Sequence, residues 1–180
     1  MAGLNCEIAN GFMLLCKDHI GGIKELVIGP WGGNEVITLD NQEVCTDYSS
    51  NVGDYFRFIL PKHTGNFEET GNFDIAQGTA GFYTQTINAT FHKLTALRRQ
   101  NLQEMTKLRM VIFVKDNNDN YWLCGHESGM EVTAMTTTTG TTKTDNYGYT
   151  ITFTGEESKK AYLCDGFDGF HIPLGNNPDA

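Results

Sequence analysis

Apolar and polar residues alternate most cleanly near the end of the chain. Tyr147, Tyr149, Ile151 and Phe153 interleave with Gly148, Thr150, Thr152 and Thr154. A period of two puts the large groups on one face of a strand and the small or hydroxylated groups on the other. Aromatic residues and threonine both favour a half-buried pleated surface, so propensity agrees with pattern. The apolar stretch at 22–31 predicts a first strand, ended by Pro30 and the Gly32-Gly33 turn, and 36–39 continues the sheet. Residues 55–60 predict a strand stopped by Pro61. Residues 67–75 and 82–92 predict a hairpin through a turn at 77–81. The β-branched run at 108–115, the polar turn at 116–120 and residues 121–126 predict a second hairpin, followed by a strand at 130–136.

One segment changes period. Across 94–107, Leu94, Leu97, Met105 and Leu108 fall on one helical face, with Arg98, Arg99, Gln103 and Glu104 largely elsewhere. Thr95 is the expected N-terminal cap, without an acidic partner three positions on. Residues 40–53 and 137–146 are polar and read as loops, and the stretch after Cys164 is turn-rich without a period. About nine short strands and one helix predict a mainly β fold. Two packed antiparallel sheets, as a sandwich or partly closed barrel, would carry one flanking helix. Residues 1–164 would form a single domain and 165–180 a C-terminal tail.

Composition narrows the function classes. With 180 residues the chain has enough length for one substantial core. Its 13 basic and 22 acidic residues leave a formal charge of −9, which disfavours general attraction to nucleic acid phosphates. Cys6, Cys16, Cys45, Cys124 and Cys164 are odd in number and widely spaced, which predicts mostly reduced thiols in a protein folded in a cytosol. The first residues lack the basic start of a secretory signal, and no apolar run approaches the roughly 20 residues of a membrane span. The Asn88-Ala89-Thr90 triplet is accordingly expected to be unglycosylated strand.

Several chemical patterns come close and fail. Asp116, Asn118, Asn120 and Glu127 match positions of a calcium loop, but Tyr121 stands where the turn needs glycine, and strands flank it where helices are required. Cys124 and His126 offer two zinc ligands with no second tight pair. In His126-Glu127, Met130 replaces the second histidine of a zinc-protease helix. Ser128 is one place late for a nucleophile elbow, and Lys143 lacks the adjacent glycine of a phosphate loop. Asp165 and Asp168 each precede glycine and read as turns. No catalytic, cofactor or metal residue is assigned, and the chain is read as a non-enzyme. Trp31 and the aromatic residues from Tyr55 to Phe91 are expected to divide between the core and subunit contacts.

The block FEETGNFD…GFYTQTINATFHKLT at 67–95, the helix, and then NNDNYWLCGHESGMEVT…GYTITFTGEE resemble tail tube proteins of tailed bacteriophages, closest to a lineage infecting Bacteroidetes-type hosts. The similarity spans roughly residues 20–156. It implies packed antiparallel sheets with a helix, assembled as six-fold rings that stack into a hollow tube conducting DNA during ejection. A related fold occurs in ring and connector proteins of short tails and in the inner tubes of contractile secretion systems. A capsid decoration protein would share the β-rich, acidic, cofactor-free profile. The resemblance implies a virion tail protein assembled in the bacterial cytoplasm. Its partners would be itself, adjacent tail or connector proteins and transiently passing DNA, with no membrane. Under it, Glu68, Glu69 and Asp74 are the expected lumen-facing residues. Asp47, Tyr48, Thr139, Lys143 and Asp145, on the two polar loops, are the expected contacts between rings or subunits.

Overall fold

The computed structural model describes residues 19–74, 81–167 and 170–175. Among these the chain forms β1 (Ile23–Pro30), β2 (Val36–Leu39), β3 (Cys45–Ser49), β4 (Phe56–Ile59), β5 (Gly65–Asn72), β6 (Phe82–His92), α1 (Ala96–Met105), β7 (Met110–Asp116), β8 (Tyr121–Cys124), β9 (Glu131–Thr138), β10 (Gly148–Glu157) and β11 (Tyr162–Cys164). The fold is mainly β, with two sheets and one helix. One sheet has seven strands in the order β2-β3-β11-β8-β7-β1-β4, and the other has four in the order β5-β6-β10-β9. Neighbours are antiparallel except β3 and β11, which run parallel with Cys45 opposite Cys164. The sheets do not close into a barrel.

The unbroken apolar run Met-Val-Ile-Phe-Val that opens β7 explains the layering. A strand with nothing polar on either face is stable only when both faces are covered. Met110, Ile112 and Val114 join Leu26, Ile28, Ile87, Ile151 and Phe153 in the core between the sheets. Val111 and Phe113 point the other way, into a second core with Val27, Tyr48, Tyr55 and Phe167. The Phe113 ring lies 5.0 Å from Tyr48 and 5.3 Å from Phe167 between centroids. Each large apolar side chain buried this way contributes about 1.5–3 kcal/mol.

The second core corrects the reading of residues 40–53 as a loop. That segment contains β3, and Tyr48 is fully buried, its hydroxyl 3.0 Å from that of Tyr55. The lid over this core comes from the stretch after Cys164, which is held by its own chain. Tyr55 N–H donates to Pro173 O at 2.8 Å, Gly175 N–H donates to Tyr55 O at 3.0 Å, and Phe167, Phe170 and Ile172 pack inward. The centre of the seven-stranded sheet is thus covered on both faces, and among the described residues the free sheet face belongs to the four-stranded sheet.

The helix begins where expected, with the Thr95 hydroxyl accepting from Arg98 N–H. Its buried face differs from the expected one. Leu102 is the buried residue and Leu94 and Met105 pack beside it, whereas Leu97 and Leu108 are 44% and 51% exposed. α1 meets the core along a narrow line, so fewer positions face inward than a broad amphipathic stripe supplies.

Candidate functional site

The exposed face of the four-stranded sheet follows from strand alternation. β6 and β10 turn Ile87, Ala89, Tyr149, Ile151 and Phe153 inward. The intervening residues line up in rows on the outside: Glu68 beside Thr86 beside Thr154, then Asn66 beside Asn88 beside Thr152, then Thr90 beside Thr150 beside Thr136. Hydroxyls bridge the rows. Thr90 Oγ1 lies 3.1 Å from Thr150 Oγ1, Thr152 Oγ1 donates to Asn88 Oδ1 at 2.7 Å, and Thr133 Oγ1 lies 3.0 Å from Thr154 Oγ1. None of the four strands contains lysine or arginine. Phosphate binding to proteins rests on such cations, so this face has little to hold a nucleic acid backbone.

Among the described residues, both edges of this sheet are open. β5 and β9 stand at its two ends, each with a row of backbone donors and acceptors available to another strand. From Thr133 to Thr137, β9 is exposed on both faces, so the strand runs past the core that supports its beginning. Gly148, at the start of β10, allows close pairing with β6: a Cβ there would sit 2.1 Å from Phe91 O.

Beneath the face, a buried polar frame holds the sheet to its neighbours. Gln85 Nε2 donates to Glu69 Oε1 at 3.2 Å, Gln85 Oε1 accepts from Gly125 N–H at 3.0 Å, and Glu69 Oε1 accepts from Ala161 N–H at 2.6 Å. Glu157, 4% exposed, accepts from Glu127 and Ser128 N–H at 2.7 and 3.0 Å. Burial pushes the Glu157 carboxyl up against the opposing effect of those two bonds. Polar groups this deep need partners, and each here has them. An open cleft of about 530 Å³ adjoins the frame, lined in part by Glu43, Tyr83, Trp122, Lys159 and Lys160, with Lys160 over the Tyr83 ring.

The candidate calcium residues do not converge. The Asp116 carboxylate accepts from Asn118 and Asn120 N–H at 2.8 and 2.9 Å, from the Asn120 amide at 3.0 Å and from Trp122 Nε1 at 3.3 Å, which closes the hairpin turn. Glu127 lies beyond the far end of β8, where its carboxylate accepts from Ser158 N–H and Oγ. Between Cys124 and His126, Gly125 takes φ +72° and ends the strand, so strict alternation does not carry across it. Burial pushes the Cys124 thiol well up and lowers the His126 pKa. Among the described residues, no group of three or more His, Cys, Asp or Glu is placed to hold a metal ion. Cys45, Cys124 and Cys164 are free thiols, while Cys6 and Cys16 lie outside the described residues, as does Asp168.

Glu68 and Glu69, adjacent in β5, point to opposite faces. Glu68 joins the hydroxyl face and Glu69 the buried frame, while Asp74 is exposed beyond the strand end. Asp47 sits in β3 with its Oδ1 3.2 Å from His171 Nδ1, and Tyr48 is core. Thr139, Lys143 and Asp145 are exposed on the link between β9 and β10. That link is built: Asp145 Oδ2 accepts from Thr141 and Thr142 N–H at 2.7 Å each. The hydroxyl rows of β6 and β9 were not among the expected site residues. In β6 the signal for them is threonine or asparagine at every second position from Thr84 to Thr90, in β9 a threonine-rich run without that period, and the four strand segments contain no lysine or arginine. Comparison with protein-family models, curated proteins and solved structures finds no match for the chain.

Proposed function

We propose that this chain is the ring-forming subunit of a bacteriophage tail tube, a structural protein whose stacked rings conduct DNA. The observation that carries the reading is a four-stranded sheet with two open edges and an outer face of neutral hydroxyls free of lysine and arginine. Pairing the β9 edge of one copy with the β5 edge of the next is a heterologous contact, which generates a ring where its rotation closes. The hydroxyl face then lines the inside. DNA passing a wall with carboxylates such as Glu68, whose strands carry no lysine or arginine, meets repulsion and few attachment points. The sequence resemblance at 67–95 and 117–157 supports the same reading, and the opposite face of the molecule, closed over by Phe167, Phe170 and Ile172, suits an outer wall.

The test is electron microscopy of the purified full chain for rings or tubes, alongside Met135→Lys/Thr137→Lys. Both positions are exposed on the β9 edge, and lysine on an edge strand opposes strand addition. The variant is expected to keep its circular dichroism spectrum and melting temperature and to lose rings. Rings from the variant equal to those of the parent chain would reject β9 as the joining edge. A parent chain that stays monomeric at high concentration would reject the reading.

A further inference from the structure

The register of the four-stranded sheet assigns the charged loops to two opposite ends. β10 runs from Gly148, opposite His92, to Glu157, opposite Tyr83. Its ten residues separate the ends by about 30 Å. At the first end stand the turn before β5, tied in by Thr90 N–H donating to Thr64 O, the β9–β10 link, and the start of α1, where the Arg98 guanidinium donates to His92 O. At the second stand Asp74 after β5, Glu156, Glu127 bonded to Ser158, and Glu43 across the cleft from Tyr83.

These ends carry opposite charge. The first presents Lys62, Lys93, Arg99 and Lys143, all exposed, with Arg98 half-buried among them. Arg98 and Arg99 occupy the first turn of α1, which contains no acidic residue, so their charge adds to the positive end of the helix dipole instead of cancelling it. Asp145, the carboxylate on the link, is turned onto the N–H groups and hydroxyl of its own turn. Nearby, Asp119 is held by Lys24 and Lys115. The second end presents Glu43, Asp74, Glu127 and Glu156, all exposed. Its cations are engaged locally: Lys160 stands over Tyr83, Lys159 is held by Tyr162 and faces Glu43 and Glu127, and Arg109 is paired with Glu131 and lies over the Trp31 ring.

We infer that copies of this chain stack head to tail along the strands of the four-stranded sheet, the basic end of one copy docking on the acidic end of the next. The occupant of each end is a second copy, because the sign in excess at one end is the sign held in local contacts at the other. Patches of opposite sign on opposite ends of one molecule cannot satisfy each other within it, and they align like-oriented copies while opposing head-to-head encounters. The contact is heterologous and does not close, so it propagates. Its place as the joint between rings rests on the tube reading, but the charge pairing does not.

The test uses the full chain, with electron microscopy and sedimentation velocity from about 0.05 to about 1 M salt, over which screening shortens from beyond 10 Å to about 3 Å. Stacks present at low salt are expected to fall apart at high salt into rings, not monomers. Lys62→Glu/Arg99→Glu/Lys143→Glu and, separately, Glu43→Lys/Asp74→Lys/Glu156→Lys are each expected to lose stacking while retaining rings. An equimolar mixture of the two should regain it, since every end then meets its opposite charge. Stacking by either variant alone, or no recovery on mixing, overturns the inference and leaves the rings standing. Salt-labile linear oligomers without rings support the stacking and overturn the ring. A parent chain with neither overturns both.

Discussion

Tyr48 and Asp116 show how much a single side chain depends on where the fold puts it. In sequence, Tyr48 sits among Asp, Ser and Asn and reads as a loop residue. In the molecule it is fully buried between Phe113, Tyr55 and Phe170. Tyr48→Ala should therefore destabilise the isolated subunit by about 3–5 kcal/mol, and Tyr48→Phe, which removes the bond to Tyr55, by about 1 kcal/mol. Chemical denaturation of the monomer measures both. A Tyr48→Ala subunit of unchanged stability would return the residue to a contact role. Partial burial pushes the Asp116 carboxyl up, but the bonds from Asn120, Trp122 and Asn118 outweigh it, so the group titrates below the ordinary carboxylate range. Its contribution is present above the unfolded value of about 3.9 and is lost as pH falls through the lower folded value. Asp116→Ala should cost about 1.5–3 kcal/mol near neutral pH. The gap from the parent chain should narrow below about pH 4, as thermal melts across pH will register.

Whole elements were legible in proportion to their periodicity. β6, β10 and β7 are eleven, ten and seven residues of sustained alternation or unbroken apolar character, and each lies close to its expected position. β3 and β11, of five and three residues, escape because their pairing is decided by distant chain. Cys45 and Cys164 meet across a parallel bridge that no local pattern encodes. Phe167, Phe170 and Ile172 lack a period because they cover the second core from irregular backbone. In α1 the cap was legible and the buried face only in part: Leu94 and Met105 pack inward as expected, but Leu97 and Leu102 are equally apolar and packing alone selects Leu102. Leu102→Ala is expected to lose about 2–5 kcal/mol in denaturant unfolding, whereas Leu97→Ala should stay within about 0.5 kcal/mol. Equal losses at the two positions would mean that both sides of the helix are covered.

In the molecule as a whole, one sheet is covered on both faces through its centre, and the other, among the described residues, keeps an open face and open edges. Under the proposed tube function, the hydroxyl face makes a prediction about passage of DNA. Thr86→Lys/Thr152→Lys places two cations on it without touching either edge. Tubes of this variant should still form, and should retain double-stranded DNA in co-sedimentation at low salt, with binding lost as salt rises. Parent tubes should retain none. Equal retention by both would place the face away from DNA.

Alternation, propensity and charge are local properties, and the sequence by itself determined what rests on them: a mainly β chain, its longer strands, the capped helix, and a threonine-rich sheet without lysine or arginine. Which residues share a face at a distance was decided only by tertiary structure. Folding put Tyr48 in a core, separated Glu68 from Glu69 across the thickness of a strand, and split Lys143 from Glu156 by the length of β10. Strand pairing and burial are long-range choices, made by the free energy of covering both faces of β7 at once, and no window of neighbouring residues contains that sum.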